Sequence, residues 1–117
     1  MKRLRTKRVR EPVARGDGRR ILVDRLWPRG VSKQTAAVHF WSKGTAPSDA
    51  LRKWYRHDPA KWDEFRRRYF AELDAAPEAV AELRAEIEGA RGAVTLVFDS
   101  KEEKKNNASA LREYLGA

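Results

Sequence analysis

The sequence predicts an α/β domain: a mostly parallel sheet of about 3–4 strands with helices on its faces. Three observations carry this. Two short runs of β-formers, Arg20–Leu26 (R-I-L-V-D-R-L) and Ala93–Phe98 (A-V-T-L-V-F), open or run apolar without alternation, as strands covered on both faces do. The segments between them carry apolar residues at helical spacing. Each of those segments is introduced by a capping residue or a proline. The 117 residues are read as one domain, 1–117, with no repeat, low-complexity tract or linker.

Taken in order, Arg3–Val9 is expected to be a first strand. It is so charged that it belongs at or near a sheet edge. Glu11–Arg20 holds Pro12, Gly16, Asp17 and Gly18, which is turn chemistry, and reads as a loop. Arg20–Leu26 follows as a strand and stops at Trp27-Pro28-Arg29-Gly30, since Pro and Gly do not continue a central strand. Val38–Trp41 reads as a short third strand. Ser48 is a natural N-cap for a helix with Leu51, Trp54 and Tyr55 on one face. Asp58-Pro59 repeats that logic ahead of the stripe Trp62, Phe65, Tyr69 and Leu73. Pro77 opens a helix that buries Val80, Leu83 and Ile87 and ends at Gly89. Ala93–Phe98 is the clearest strand, expected at the centre of the sheet with Arg20–Leu26 beside it or one strand away. Ser100-x-x-Glu103 has the form of a capping box, which predicts a last helix starting there with Ala108, Leu111 and Leu115 inward.

Charged residues make up 37% of the chain, and 26 Lys and Arg against 17 Asp and Glu give a net charge of +9. The excess is local. Residues 1–33 hold 12 basic and 3 acidic residues, and the remainder balances. Such asymmetry points to an anionic partner: a phosphorylated ligand, nucleic acid or an acidic surface. The plainer alternative is a solvated basic face. No apolar run approaches the ~20 residues of a membrane span, and no apolar segment follows the basic Met1–Arg10, so no membrane association and no secretory signal are expected. There is no cysteine, which excludes disulfides, thiolate metal sites and cysteine nucleophiles and fits a cytoplasmic location. His39 and His57 stand apart, so no metal site is expected, and no cofactor motif is present. Oligomeric state is left open.

Ligands of open α/β sheets sit at the carboxyl ends of the strands, and two such ends stand out. In Asp24-Arg25-Leu26-Trp27-Pro28-Arg29-Gly30, two guanidiniums flank an indole. Arg forks bind phosphate or carboxylate, and Trp offers a stacking face. Arg25, Trp27 and Arg29, with Lys33 beyond them, are the candidate ligand-binding residues here. Against this stands a structural turn in which Asp24 pairs with an Arg and Trp27 plugs the core. At the second end, Asp99-Ser100-Lys101-Glu102-Glu103, Ser100 and Lys101 could hold an anion. No glycine-rich phosphate loop is present, and Glu102 and Glu103 already answer the helix dipole. Asp24 and Asp99 are the acid/base candidates if the chain is an enzyme. His57-Asp58 could pair as base and orienting carboxylate, but Asp58 is explained by capping. Trp41, Trp54 and Trp62 read as core, and Arg66-Arg67-Arg68 as a solvated helix face that could extend a phosphate-binding surface.

The stretch D-G-R-R-I-L-V-D-R-L-W-P-R-G (17–30) with Lys33 resembles the signature of the domain-of-unknown-function 488 family, YeaO-like short branch. So do Ala46-Pro47-Ser48, Leu51-Arg52-Lys53-Trp54, His57-Asp58-Pro59 with Trp62 and Phe65, Tyr69 with Glu72-Leu73, Val94-Thr95-Leu96, and Asn106 with Ala108 and Leu111. The resemblance spans nearly the whole chain and implies a compact α/β fold, without implying an activity. A longer branch of that family carries a cysteine at the end of the last strand and a Cys-His-Arg triplet in the next helix, which looks like thiolate chemistry. Phe98 falls at the first cysteine, and Asn106, Asn107 and Ala108 fall at the triplet, so that chemistry is replaced throughout.

The function expected from all this is binding of an anionic ligand, a nucleotide or nucleic-acid phosphate, through Arg25, Trp27, Arg29, Lys33, Ser100 and Lys101. The alternatives are an enzyme acting on a small phosphorylated or carboxylated substrate with Asp24 or Asp99 as acid/base, and a partner-binding module that uses its basic edge strand.

Overall fold

The structure is a computed structural model that describes residues 4–116. It contains a four-stranded, all-parallel sheet in the order β1-β4-β2-β3. The strands are β1 (Leu4–Arg8), β2 (Arg19–Leu22), β3 (Phe40–Trp41) and β4 (Val94–Phe98), and the helices are α1 (Lys33–Ala36), α2 (Asp49–Tyr55), α3 (Trp62–Asp74), α4 (Pro77–Gly89) and α5 (Asn107–Tyr114). β4 lies between β1 and β2 and is buried along its length, as its unbroken apolar run predicts. β1 is an edge strand. Arg3, expected to begin it, lies outside the described residues.

Period-2 alternation sorts the strand side chains onto two faces. Leu4, Ile21, Val23, Val94, Leu96 and Phe98 enter the larger core, under Leu51, Tyr55, Phe65, Tyr69, Leu83 and Leu111 from the helices. Leu22 and Val97 face the other way, into a smaller cluster with Val9 and Ala36 that Trp27, Val31, Val38 and Trp41 pack against. On this second face Arg20 is 1% exposed and Asp17 is 6% exposed. Arg20 Nη1 donates to Asp17 Oδ2 at 2.8 Å, and its other nitrogens donate to the Ala36 carbonyl. Gly18 (φ 62°) is fixed by geometry, because a Cβ there would sit 2.1 Å from the Ala93 carbonyl oxygen.

Several boundaries follow the sequence chemistry. Ser48 Oγ accepts from Leu51 N–H, Asp58 Oδ1 accepts from Ala60 N–H, and Pro77 opens α4. Three differ. β2 closes at Leu22, although Val23 N–H still reaches the Val97 carbonyl. α1 was not foreseen; it is a single turn capped by Ser32. The last helix starts at Asn107, not after Ser100. Ser100 Oγ accepts from Glu102 N–H, and Glu102 Oε2 accepts from Lys104 and Lys105 N–H. These bonds close successive turns, and the true cap is Asn106, whose Oδ1 accepts from Ser109 N–H.

Candidate anion site

The parallel register places the site. Arg8 pairs with Phe98 and Leu22 pairs with Val97, so the chain leaves β1, β2 and β4 at one edge of the sheet. Residues 10, 24–29 and 99–102 therefore meet there. Residues 24–27, 29 and 99–102, with residues of α2, α3 and the start of α5, line a cleft of about 480 Å³. Asp24, Arg25, Leu26, Trp27, Arg29, Asp99, Ser100 and Lys101 all line it, so the two strand ends singled out in the sequence line one cleft. Lys33, in α1, is not among the lining residues.

The floor is held by Asp24. Asn107 Nδ2 donates to its Oδ1 at 2.9 Å and Asp99 N–H donates to its Oδ2 at 2.8 Å. Burial raises the Asp24 pKa above its ordinary value, against the lowering effect of those two donors. Asp99 is engaged by Arg10, whose Nε and Nη2 reach its two oxygens. Glu102 is held below its ordinary pKa by the Lys105 and Lys104 N–H groups. Each acid in the cleft is thus answered by its own local donors.

The cations divide into tied and free. Arg25 Nε donates to the Pro47 carbonyl at 3.0 Å and Nη2 reaches the Ala46 carbonyl at 3.4 Å, so this guanidinium fastens the loop before α2. Arg52 pairs with Asp49. Arg29 is different. It occupies the corner of a turn closed by Val31 N–H on the Pro28 carbonyl, with Gly30 at φ 76° supplying the left-handed residue. Trp27 braces the turn, with Nε1 donating to the Val31 carbonyl at 2.7 Å and the ring edge-on to Trp41 at 5.6 Å. Arg10 Nη2 donates to the Arg29 carbonyl at 2.8 Å. The backbone of Arg29 is thus fixed on two sides while its guanidinium meets no partner among the described residues, and the ammonium of Lys101 is equally free.

Leu26, Pro47, Tyr55 and Phe65 line the same cleft. Leu26 is 59% exposed, an unusual position for a large apolar side chain. Tyr55 donates its hydroxyl to the Lys105 carbonyl, and burial pushes its pKa up to about 12, so it stays a donor. His57 stands at the rim with Nδ1 3.2 Å from Ser100 Oγ; it and Arg56 hold positive φ angles of 56° and 50°.

Arg10, Asn107 and Tyr55 were not anticipated as site residues. Arg10 carried a signal only as one of the many charges among the first ten residues. Asn107 stands where the resemblance places the histidine of the triplet, and its amide organises Asp24. Phe98, at the position of the longer branch's first cysteine, is packed into the larger core. Among the expected Trp residues, Trp54 and Trp62 lie against that core, and Arg66, Arg67 and Arg68 pair with Asp63, Glu64 and Glu113.

A family model described as "Inactive DUF488-N3 subclade" matches residues 3–117. The chain belongs to this family. Among its relatives, the uncharacterised protein Rv3073c of Mycobacterium tuberculosis (strain ATCC 25618 / H37Rv) is 44% identical over 114 residues, covering 97% of this chain and 93% of the relative. The uncharacterised protein YeaO of Escherichia coli (strain K12) is 38% identical over 112 residues, covering 96% of each chain. No solved structure gives a significant match. In this DUF488-N3i domain, among the described residues, no helix is long and apolar enough to cross a membrane.

Proposed function

We propose that the domain binds a small anionic ligand in the cleft at the carboxyl edge of its sheet, and that Arg29 and Lys101 supply the charge. The observation that carries this is the contrast between tied and free cations. Of the cations that line the cleft, Arg25 and Arg52 meet protein acceptors, whereas Arg29 and Lys101 meet none among the described residues. Phosphate or carboxylate would complete them with charge-assisted hydrogen bonds. The family description, an inactive subclade, supports binding over turnover. Titration of the full chain with inorganic phosphate, followed calorimetrically, tests the reading. Heat should be released on binding to the wild-type chain and be lost in Lys101→Ala. Equal binding by the two proteins would refute the assignment.

A second reading has one observation in its favour. Asp24 is a carboxyl group inside the cleft whose pKa is raised, chiefly by burial, the direction that suits a general acid. A phosphorylated substrate seated on Arg29 and Lys101 would bring its leaving group near that carboxyl. Turnover of phosphomonoesters that disappears in Asp24→Asn, with phosphate binding retained, would favour this enzyme reading.

A further inference from the structure

The ligand of this cleft can be specified further. Resting on the binding role just proposed, we infer that it is a mononucleotide-like phosphomonoester: one terminal phosphate carried on a flat, largely apolar group. Three observations converge on this class.

The first is where the free charge is. The basic excess of residues 1–33 suggested a track for a nucleic-acid strand, but most of it is used inside the protein. Arg5 donates to the Gly16 carbonyl, Lys7 to the Pro12 carbonyl and Asp17, and Arg8 to the Ser100 carbonyl. Arg10 holds Asp99, Arg19 holds Glu86, Arg20 holds Asp17, and Arg25 holds Pro47. Among the described residues of this segment Arg15, Arg29 and Lys33 are left, and of these Arg29 lines the cleft. A strand carries one charge on each phosphodiester and needs a succession of free cations along its path. A phosphomonoester concentrates a charge of about −1.5 to −2 on one group near pH 7. Arg29 and Lys101 together match that single group.

The second is the apolar lining. Pro47, Tyr55 and Phe65 are buried in the fold, so the apolar side chain open to a ligand is Leu26, 59% exposed, which inorganic phosphate would leave uncovered. Covering such a side chain with a flat ring removes apolar surface from water. The third is size. A cleft of about 480 Å³ lies within the range that holds small organic ligands, whereas a phosphate ion alone would fill a small part of it. The cleft acids do not oppose this, since Asp24, Asp99 and Glu102 are each already held by Asn107, Arg10 and backbone N–H groups.

The test is a calorimetric comparison on the full chain at about 50 mM salt, using inorganic phosphate, the four nucleoside monophosphates AMP, GMP, CMP and UMP, adenosine, and a single-stranded decanucleotide with a 5′-hydroxyl. At least one monophosphate should bind tenfold or more tightly than inorganic phosphate, and adenosine should bind more weakly than AMP. Arg29→Ala should lower that monophosphate's affinity at least tenfold with an unchanged melting temperature, and Leu26→Ser should lower it toward that of phosphate while leaving phosphate binding intact. Equal affinity for phosphate and all four monophosphates would overturn the inference and leave the anion site standing. Tighter binding of the decanucleotide, with a log–log salt slope near −3 or steeper, would overturn it in favour of a strand. Failure of phosphate and every nucleotide to bind would remove the anion site itself.

Discussion

Arg10 and Asp99 join the end of the first strand to the end of the last, and this pair decides the state of a third residue. The Asp99 carboxylate is occupied by Arg10, which also donates to the Arg29 carbonyl. Arg29 is therefore positioned without being neutralised. Removing Arg10 would release a carboxylate beside a free guanidinium, and the two could then pair. Arg10→Ala is expected to weaken phosphate binding several-fold while changing stability by less than about 1 kcal/mol, the usual worth of an exposed ion pair. Calorimetric titration with a parallel thermal melt checks both halves.

Arg25 and Arg29 are four positions apart, and of the two guanidiniums only that of Arg25 meets a protein acceptor among the described residues. Arg25→Ala deprives the Pro47 and Ala46 carbonyls of a charged donor. A loss of about 1.5–3 kcal/mol is expected, the range for hydrogen bonds to charged groups. Chemical denaturation should show the midpoint moved with the slope unchanged.

The Asp17–Arg20 pair lies on the less covered face of the sheet, with Lys7 as a third member. Burial alone would push the Asp17 pKa up, but the Ala14 N–H, Lys7 and Arg20 outweigh it, and the net shift is downward. Its contribution is therefore present above the ordinary carboxylate range and is lost as pH falls through the lowered value. Asp17→Asn leaves a buried guanidinium without its counter-charge and should cost about 3–5 kcal/mol at neutral pH. The gap between wild type and variant should close on acidification below about pH 4. Urea unfolding across pH measures it.

Asp24 behaves in the opposite sense. Its pKa is raised in the fold, chiefly by burial. The folded state then favours the protonated form, so this residue's contribution is greatest below the ordinary carboxylate pKa and is lost as pH rises through the folded value. Measured against Asp24→Asn, wild-type stability should gain as pH falls from neutrality toward the ordinary carboxylate range. A constant difference across that window would show that burial does not govern Asp24.

What the sequence made legible was the part governed by local rules. β4 and the opening of β2 were readable because a run covered on both faces has few polar residues to confuse it. Ser48, Asp58 and Pro77 were readable because capping is a contact over two or three residues. The start of α5 was misplaced because Ser100 has two local uses for its hydroxyl, and tertiary contact with His57 and a tight turn to Glu102 took precedence over a cap. For the site, residue types and the strand ends were visible, and the parallel sheet brought those ends together. The division of Arg25 from Arg29 was not visible. It depends on the carbonyls of Ala46 and Pro47 and on the carboxylate of Asp99, which reach the site from distant parts of the chain.

The central claim is that Arg29 serves a ligand and not the fold. Arg29→Ala, taken through a thermal melt and a phosphate titration on the same preparation, tests it most directly. The account predicts a melting temperature within about 2 °C of wild type, as for an exposed side chain worth no more than about 0.5 kcal/mol, together with loss of phosphate binding. A melting temperature lowered by many degrees, with phosphate still bound by the folded protein, would contradict it.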